Sequence, residues 1–141
     1  MTEEGFKKRT KTFALDILRF VNDLPRNRST DVISKQLIRS ATSVGANYRA
    51  ACRGRSQAEM VAKLGIVEEE ADQCFYWIEL LIESNSCDPV LAETLSEEAS
   101  ELLAMIVASI KTLKSKLSVR ETLEIYPSIQ NPKSEIQNYH V

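Results

Sequence analysis

Apolar residues recur along the chain at the three- and four-residue steps that place side chains on one face of an α-helix. Stripes of this kind occupy residues 6–24, 33–51 and 91–117, and the first of them stops before Pro25. Residues 60–81 keep a nearly unbroken heptad of apolar positions, which indicates a long helix packed at a shallow crossing angle. The pattern predicts four amphipathic helices.

Local signals place the ends of these helices. Ser29 or Thr30 is the expected N-cap of the second helix, and Gly54 is its expected stop, since glycine accepts the left-handed conformation of a helix C-terminus. The run Ser56-Gln57-Ala58-Glu59 fits the capping box S-x-x-E at the start of the third helix. Asp88-Pro89 supplies an N-cap followed by proline at the first helical position of the fourth.

Four such helices joined by short connections predict an all-α fold, an up-down-up-down antiparallel four-helix bundle. The bundle is expected over residues 1–118. The helical period is lost in residues 119–141, which contain Pro127 and Pro132. These residues are predicted to form a C-terminal tail that is either irregular or docked on the bundle or on a neighbouring subunit.

The composition indicates a cytoplasmic protein. No apolar run approaches the roughly 20 residues that a bilayer span needs, and the first ten residues lack the apolar core of a signal peptide. We therefore expect no membrane partner. Cys52, Cys74 and Cys87 are odd in number and widely spaced, which argues against a disulfide framework or a zinc site.

Charge is divided unevenly along the chain. Residues 1–63 hold 13 lysines and arginines against 6 acidic residues, whereas residues 64–141 hold 5 against 14. The candidate contact residues of the basic half lie on or just after the second helix and are Arg39, Asn47, Arg49, Arg53 and Arg55. The third helix carries an acidic line, with Tyr76 among its members Glu69, Asp72, Glu79 and Glu83. Such a chain either neutralises itself between helices or pairs its basic half with an acidic partner.

Three uses of the arginines remain open at this point. Antiparallel packing of the second and third helices would bring them near the acidic line within one subunit, and an interface would do so across two subunits. Planar guanidinium groups suit bidentate pairing with carboxylates. The same side chains could instead hold the phosphates of RNA, a contact that positions a nucleic acid without reading its sequence.

Residues for catalysis are scarce. A di-metal site in a bundle needs Glu-x-x-His on two helices, but the chain has a single histidine, His140, in the tail. A cysteine or serine nucleophile would therefore lack a histidine base inside the fold, and the isolated glycines form no phosphate-binding loop. We expect no enzyme activity, no metal and no cofactor.

From Gln36 to Leu81 the chain reads QLIRSATSVGANYRAACRGRSQAEMVAKLGIVEEEADQCFYWIELL. This segment resembles the small bacterial four-helix bundle proteins related to those encoded in intervening sequences of 23S ribosomal RNA genes. The resemblance rests on Gln36 and Arg39, on the run SVGANYRAA, on the Arg-Gly-Arg-Ser turn, and on KL followed by IVEEEAD. It covers the two central helices closely and the outer two by pattern only.

The resemblance implies a homopentameric ring without an assigned activity. A structurally similar relative, the accessory variability protein of diversity-generating retroelements, forms a basic pentameric barrel that works with a reverse transcriptase and RNA. This chain departs from it in its net charge of −2 and in Gln73, where related sequences usually carry an acidic residue. We expect a non-enzymatic assembly or scaffold module that associates with itself. The alternative is an RNA-binding accessory factor that uses the helix-two arginines.

Overall fold

The computed structural model describes residues 1–117 and 119–125. Its helices are α1 (Glu3–Asn22), α2 (Arg28–Cys52), α3 (Gln57–Glu83), α4 (Pro89–Ser115) and the short α5 (Val119–Ile125). No strand occurs in the part of the chain that the structure describes. The all-α four-helix fold predicted from the apolar stripes is therefore confirmed.

Each long helix packs against the next one along the chain, and α4 also contacts α1. The Phe6 ring, near the start of α1, lies with its centroid 4.5 Å from that of the Tyr48 ring, near the end of α2. The links between consecutive long helices are short, which favours antiparallel neighbours. These relations fit an up-down-up-down order.

The apolar core takes side chains from all four long helices. Its largest fully buried apolar members are Phe13, Ile17, Leu37, Ile78, Leu81, Leu102, Ile106, Val44 and Val67. In α4 the small residues Ala92 and Ala99 are also buried. Leu91, the first residue of the predicted stripe 91–117, is exposed because it lies in the first turn of α4 at one end of the bundle.

The second helix begins earlier than predicted. Its N-cap is Asn27, whose side-chain Oδ1 accepts a hydrogen bond of 3.0 Å from the backbone N–H of Thr30. The prediction of Ser29 or Thr30 as the cap was wrong because asparagine satisfies the orphan donors of a first turn as well as serine does. Thr30 is instead buried in the first turn.

The corner between α2 and α3 contains the predicted glycine stop and capping box, but each differs in detail from the prediction. Ser56 caps α3 by accepting from the Glu59 N–H at 3.1 Å, but the Glu59 carboxylate accepts from the N–H of Arg55 rather than from that of Ser56. Gly54 does not take a left-handed conformation, since no described glycine has a positive φ. A Cβ on Gly54 would lie 2.7 Å from Cγ of Met60 and 3.0 Å from the carbonyl oxygen of Ala51. Glycine is needed there for close approach of the two helices.

The left-handed helix end that was predicted at Gly54 occurs instead in the link between α3 and α4. Asn85 has a φ of 57°, and its N–H donates to the carbonyl oxygen of Ile82 while that of Ser86 donates to Leu81. This pair of bonds is a Schellman motif, for which asparagine can replace glycine. Asp88 then caps α4 by accepting from the Val90 N–H at 3.0 Å, as predicted.

Arg9 ties α1 to α4. Its Nε and Nη2 donate to the same carboxylate oxygen of Glu98 at 2.9 and 2.6 Å, and Nη2 also contacts Glu101. These carboxylates, Glu98 foremost, raise the pKa of Arg9. The charge-assisted bonds fix the seam between the first and last long helices.

The predicted boundary at residue 118 is followed by the short helix Val119–Ile125, which contacts α3. Ile125 is partly buried against the core. The irregular or docking tail was predicted over residues 119–141, and its residues 126–141 lie outside the described residues.

Replacing Gly54 with alanine should lower the free energy of unfolding by about 1–3 kcal/mol, because the added Cβ overlaps Met60. The matched control is Gly65→Ala in the middle of α3, where a Cβ meets nothing within 4 Å. That change should stabilise the protein by about 0.5–1 kcal/mol. Urea unfolding of both variants at one protein concentration measures the difference, and equal effects would contradict the close-approach role of Gly54.

Candidate functional site

Arg39 is bound within its own subunit. Its Nη1 donates to both carboxylate oxygens of Glu70 on α3, each at 3.1 Å, and its Nη2 donates to the side-chain oxygen of Gln73 at 2.6 Å. The same guanidinium contacts Gln36 and Ser40 on α2. The Arg39 side chain is 49% exposed and that of Glu70 is 14% exposed. This set of contacts, the Arg39 clasp, joins α2 to α3.

The other candidate residues on and just after α2 make different contacts from those of Arg39. Asn47 donates from its side chain to the carbonyl oxygen of Ser43, one turn earlier in α2, at 2.9 Å. The side chains of Arg49, Arg53 and Arg55 are exposed and make no ion pair with a described residue. The structure therefore separates Arg39 from the three arginines that follow it, whose charge no described acidic residue neutralises.

The predicted acidic line is exposed to solvent. Glu69, Asp72, Glu79 and Glu83 are all exposed, and none pairs with a basic side chain in residues 1–117 or 119–125. Pairing with the helix-two arginines inside one subunit is not found, and pairing across subunits stays a prediction. Tyr76 is 54% exposed and Ile66 42% exposed on the same helix. We call this surface the acidic ridge, formed by Ile66, Glu69, Asp72, Tyr76, Glu79 and Glu83.

A second surface lies between α1 and α2, where a groove of about 690 Å³ opens to solvent. We call it the basic groove, lined by Glu4, Lys7, Lys8, Thr10, Lys11, Ala14, Thr42, Gly45, Ala46 and Arg49. Helices α1 and α2 approach closely beside it, since a Cβ on Gly45 would lie 3.2 Å from Oγ1 of Thr10. The small residues Ala14, Gly45 and Ala46 leave the space between the helices unfilled.

The cations of the basic groove fall into two groups. Lys7 bonds to Glu3 at 3.1 Å and to Glu4 at 3.2 Å, and these bonds raise the pKa of its ammonium group. Lys8, Lys11 and Arg49 make no ion pair with any residue in the described ranges. The sequence analysis found Arg49 but missed both lysines, because the period of one helix does not reveal which face of a neighbour it meets.

The cysteines are free thiols with little nucleophilic character. Burial raises the pKa of Cys74 to about 12, and burial also raises the pKa of Cys52 and of Cys87. A raised pKa leaves little thiolate near neutral pH, and the thiolate is the reactive form. Within the described ranges no three His, Cys, Asp or Glu side chains are placed to hold a metal ion.

Two comparisons with known proteins bear on these surfaces. Residues 5–108 match the family model of the 23S rRNA-intervening sequence protein. The chain belongs to this family. The matched residues include all of the basic groove except Glu4, together with the Arg39 clasp and the acidic ridge, so these surfaces are parts of the intervening-sequence protein domain.

The intervening-sequence protein fold is also seen in a crystal structure of a protein with unknown function from the S23 ribosomal protein family of Bacteroides thetaiotaomicron. That protein is 32% identical to this chain with a TM-score of 0.73, and the match covers 79% of this chain and 99% of the other. No curated protein is similar enough to count as a match. None of the helices in the described residues is both long and apolar enough to cross a membrane.

Replacing Arg39 with alanine should lower the free energy of unfolding by about 1 kcal/mol. The change leaves the mostly buried Glu70 carboxylate without its partner, while the exposure of Arg39 keeps the loss modest. Lys35→Ala, one turn earlier on α2, removes an exposed cation that has no ion pair with a described residue. It should change the free energy by less than about 0.5 kcal/mol. Chemical unfolding of the two variants tests the clasp, and equal losses would count against it.

Proposed function

We propose that this intervening-sequence protein is a non-enzymatic assembly module that associates with itself in the cytoplasm. The observation that carries the proposal is the separation of charge between neighbouring helices. Helices α1 and α2 hold nine lysines and arginines against four acidic residues, whereas α3 holds seven carboxylates and one lysine. Much of this charge is not neutralised inside the described part of the subunit. Opposite surfaces on one chain favour contact between copies.

The form of the assembly follows from the position of these surfaces. A contact between two different patches leaves one patch of each copy free for a further copy, so that association continues until a ring closes. The resemblance to the bundle proteins that form homopentameric rings supports five copies. The raised thiol pKa values support the non-enzymatic part of the proposal, and the free cysteines suit a reducing cytoplasm.

Native mass spectrometry of the full chain tests this function. The expected result is a single assembly, with five copies of the 15.9 kDa chain as the predicted number. Because charged surfaces are screened as ionic strength rises, the assembly should dissociate at higher protein concentrations in 0.5 M salt than in 0.05 M salt. A mass of one chain at all micromolar concentrations in low salt would overturn the proposal.

A second candidate function is that of an RNA-binding accessory factor. Arg49, Arg53 and Arg55 support it, because they place three exposed cations within seven residues without an ion pair to any described residue. Arg39 no longer belongs to this set, since Glu70 and Gln73 occupy its donors. Phosphate contacts are made by such free guanidinium groups.

Fluorescence anisotropy of a labelled structured RNA tests the second candidate. If the protein contacts three phosphates, raising the salt concentration from 50 to 200 mM should weaken RNA binding roughly 20- to 40-fold. The double variant Arg53→Glu with Arg55→Glu should lose binding, whereas Lys35→Ala should keep most of it. Absence of binding by the unchanged protein at 50 mM salt would exclude this candidate.

A further inference from the structure

The basic groove and the acidic ridge are complementary in charge. We propose that the acidic ridge of one copy lies in the basic groove of a second copy, with Tyr76 against the small lining residues Ala14, Gly45 and Ala46. The inference rests on the proposed assembly function. It adds the two surfaces in contact and the side chain at the centre of that contact.

The groove has the features that a protruding side chain requires. Its lining includes the small residues Ala14, Gly45 and Ala46, and its volume falls within the roughly 300–1,000 Å³ of pockets that accept groups at least as large as an aromatic ring. The cations without ion pairs, Lys8 and Lys11 on α1 and Arg49 on α2, line the same groove. An aromatic side chain between carboxylates would therefore meet both apolar atoms and positive charge there.

The acidic ridge carries an exposed aromatic side chain between carboxylates. Tyr76 is more than half exposed, and Asp72 and Glu79 lie four and three residues away from it on the same face of α3. The Tyr76 ring rests edge-on against Trp77 at a centroid distance of 5.0 Å. Tyrosine is enriched at the energetic centres of interfaces because it buries a large ring and keeps a polar tip.

Docking of a second copy in the basic groove explains more of the exposed features of the subunit than binding of RNA there does. The alanine methyl groups that line the groove form no bond with a phosphate. RNA in the groove would also leave exposed Tyr76 and Ile66 without a partner. Docking of the ridge covers both surfaces with one contact.

A charge exchange tests the contact. The groove variant carries Lys8→Glu, Lys11→Glu and Arg49→Glu, and the ridge variant carries Asp72→Lys and Glu79→Lys. Each alone places like charges together and should raise the protein concentration at half-assembly by at least about tenfold. The chain with all five changes should assemble again, because its reversed ridge then meets a reversed groove. Native mass and sedimentation velocity provide the readout.

Matched controls separate docking from general effects of charge. Glu97→Lys and Lys111→Glu reverse exposed charges on α4, outside both surfaces, and should leave the native mass unchanged. Tyr76→Ala removes the central side chain without altering charge and should also weaken assembly. Circular dichroism shows whether each variant keeps its helices, and recovery of assembly by the five-change chain does not depend on the folding of either parent variant.

The outcomes distinguish this inference from the function on which it rests. A monomeric unchanged protein would overturn the assembly function itself. An intact assembly in both the groove and the ridge variants would overturn the docking alone and place the subunit contacts elsewhere. Loss of RNA binding in the groove variant, with its native mass unchanged, would make the groove an RNA site and likewise overturn the docking.

Discussion

Burial of the apolar stripe of α3 is the constraint on which the other features of this bundle depend. Eight residues of this helix, from Ala58 to Leu81, are buried, and α3 packs against α2, α4 and the short α5. Once that stripe faces the core, the 3.6-residue period directs Glu69, Asp72 and Tyr76 outward. The acidic ridge therefore lies on the side of α3 that faces away from its buried heptad positions. The core does not require particular residues there, so the ridge can take part in another contact.

Charged residues in this structure divide into those that organise the subunit and those that remain available. Arg9 and Arg39 lie at seams between helices and engage carboxylates there. Arg9 is partly buried, and Arg39, although half exposed, bonds to the mostly buried Glu70, so both sets of bonds gain some strength from the lower local dielectric. Arg49, only ten residues beyond Arg39, has no such partner among the described residues because it lies on the side of α2 that faces the basic groove. Neighbouring arginines of one helix thus have different roles.

The sequence predicted the helices well because burial imposes a period that can be read without knowing the neighbours. It predicted less about side-chain partners. Arg39 pairs with Glu70 rather than with Glu69, and one residue along a helix turns a side chain by about 100°, which moves it from an outer face to a seam. The basic groove needs Lys8 and Arg49 from two different helices. Such a juxtaposition depends on how the helices pack, which no single stripe encodes.

Ion pairs and buried apolar area would contribute differently to the free energy of docking between the ridge and the groove. Exposed ion pairs contribute roughly 0.2–1 kcal/mol each, so the charges set orientation and exclude wrong partners more than they supply affinity. Most of the free energy must come from apolar area removed from water, at roughly 25 cal/mol per Å². Tyr76 and Ile66 are the exposed apolar side chains of the ridge that can supply it. A stable interface buries about 800 Å² on each partner, so the contact must extend along most of α3.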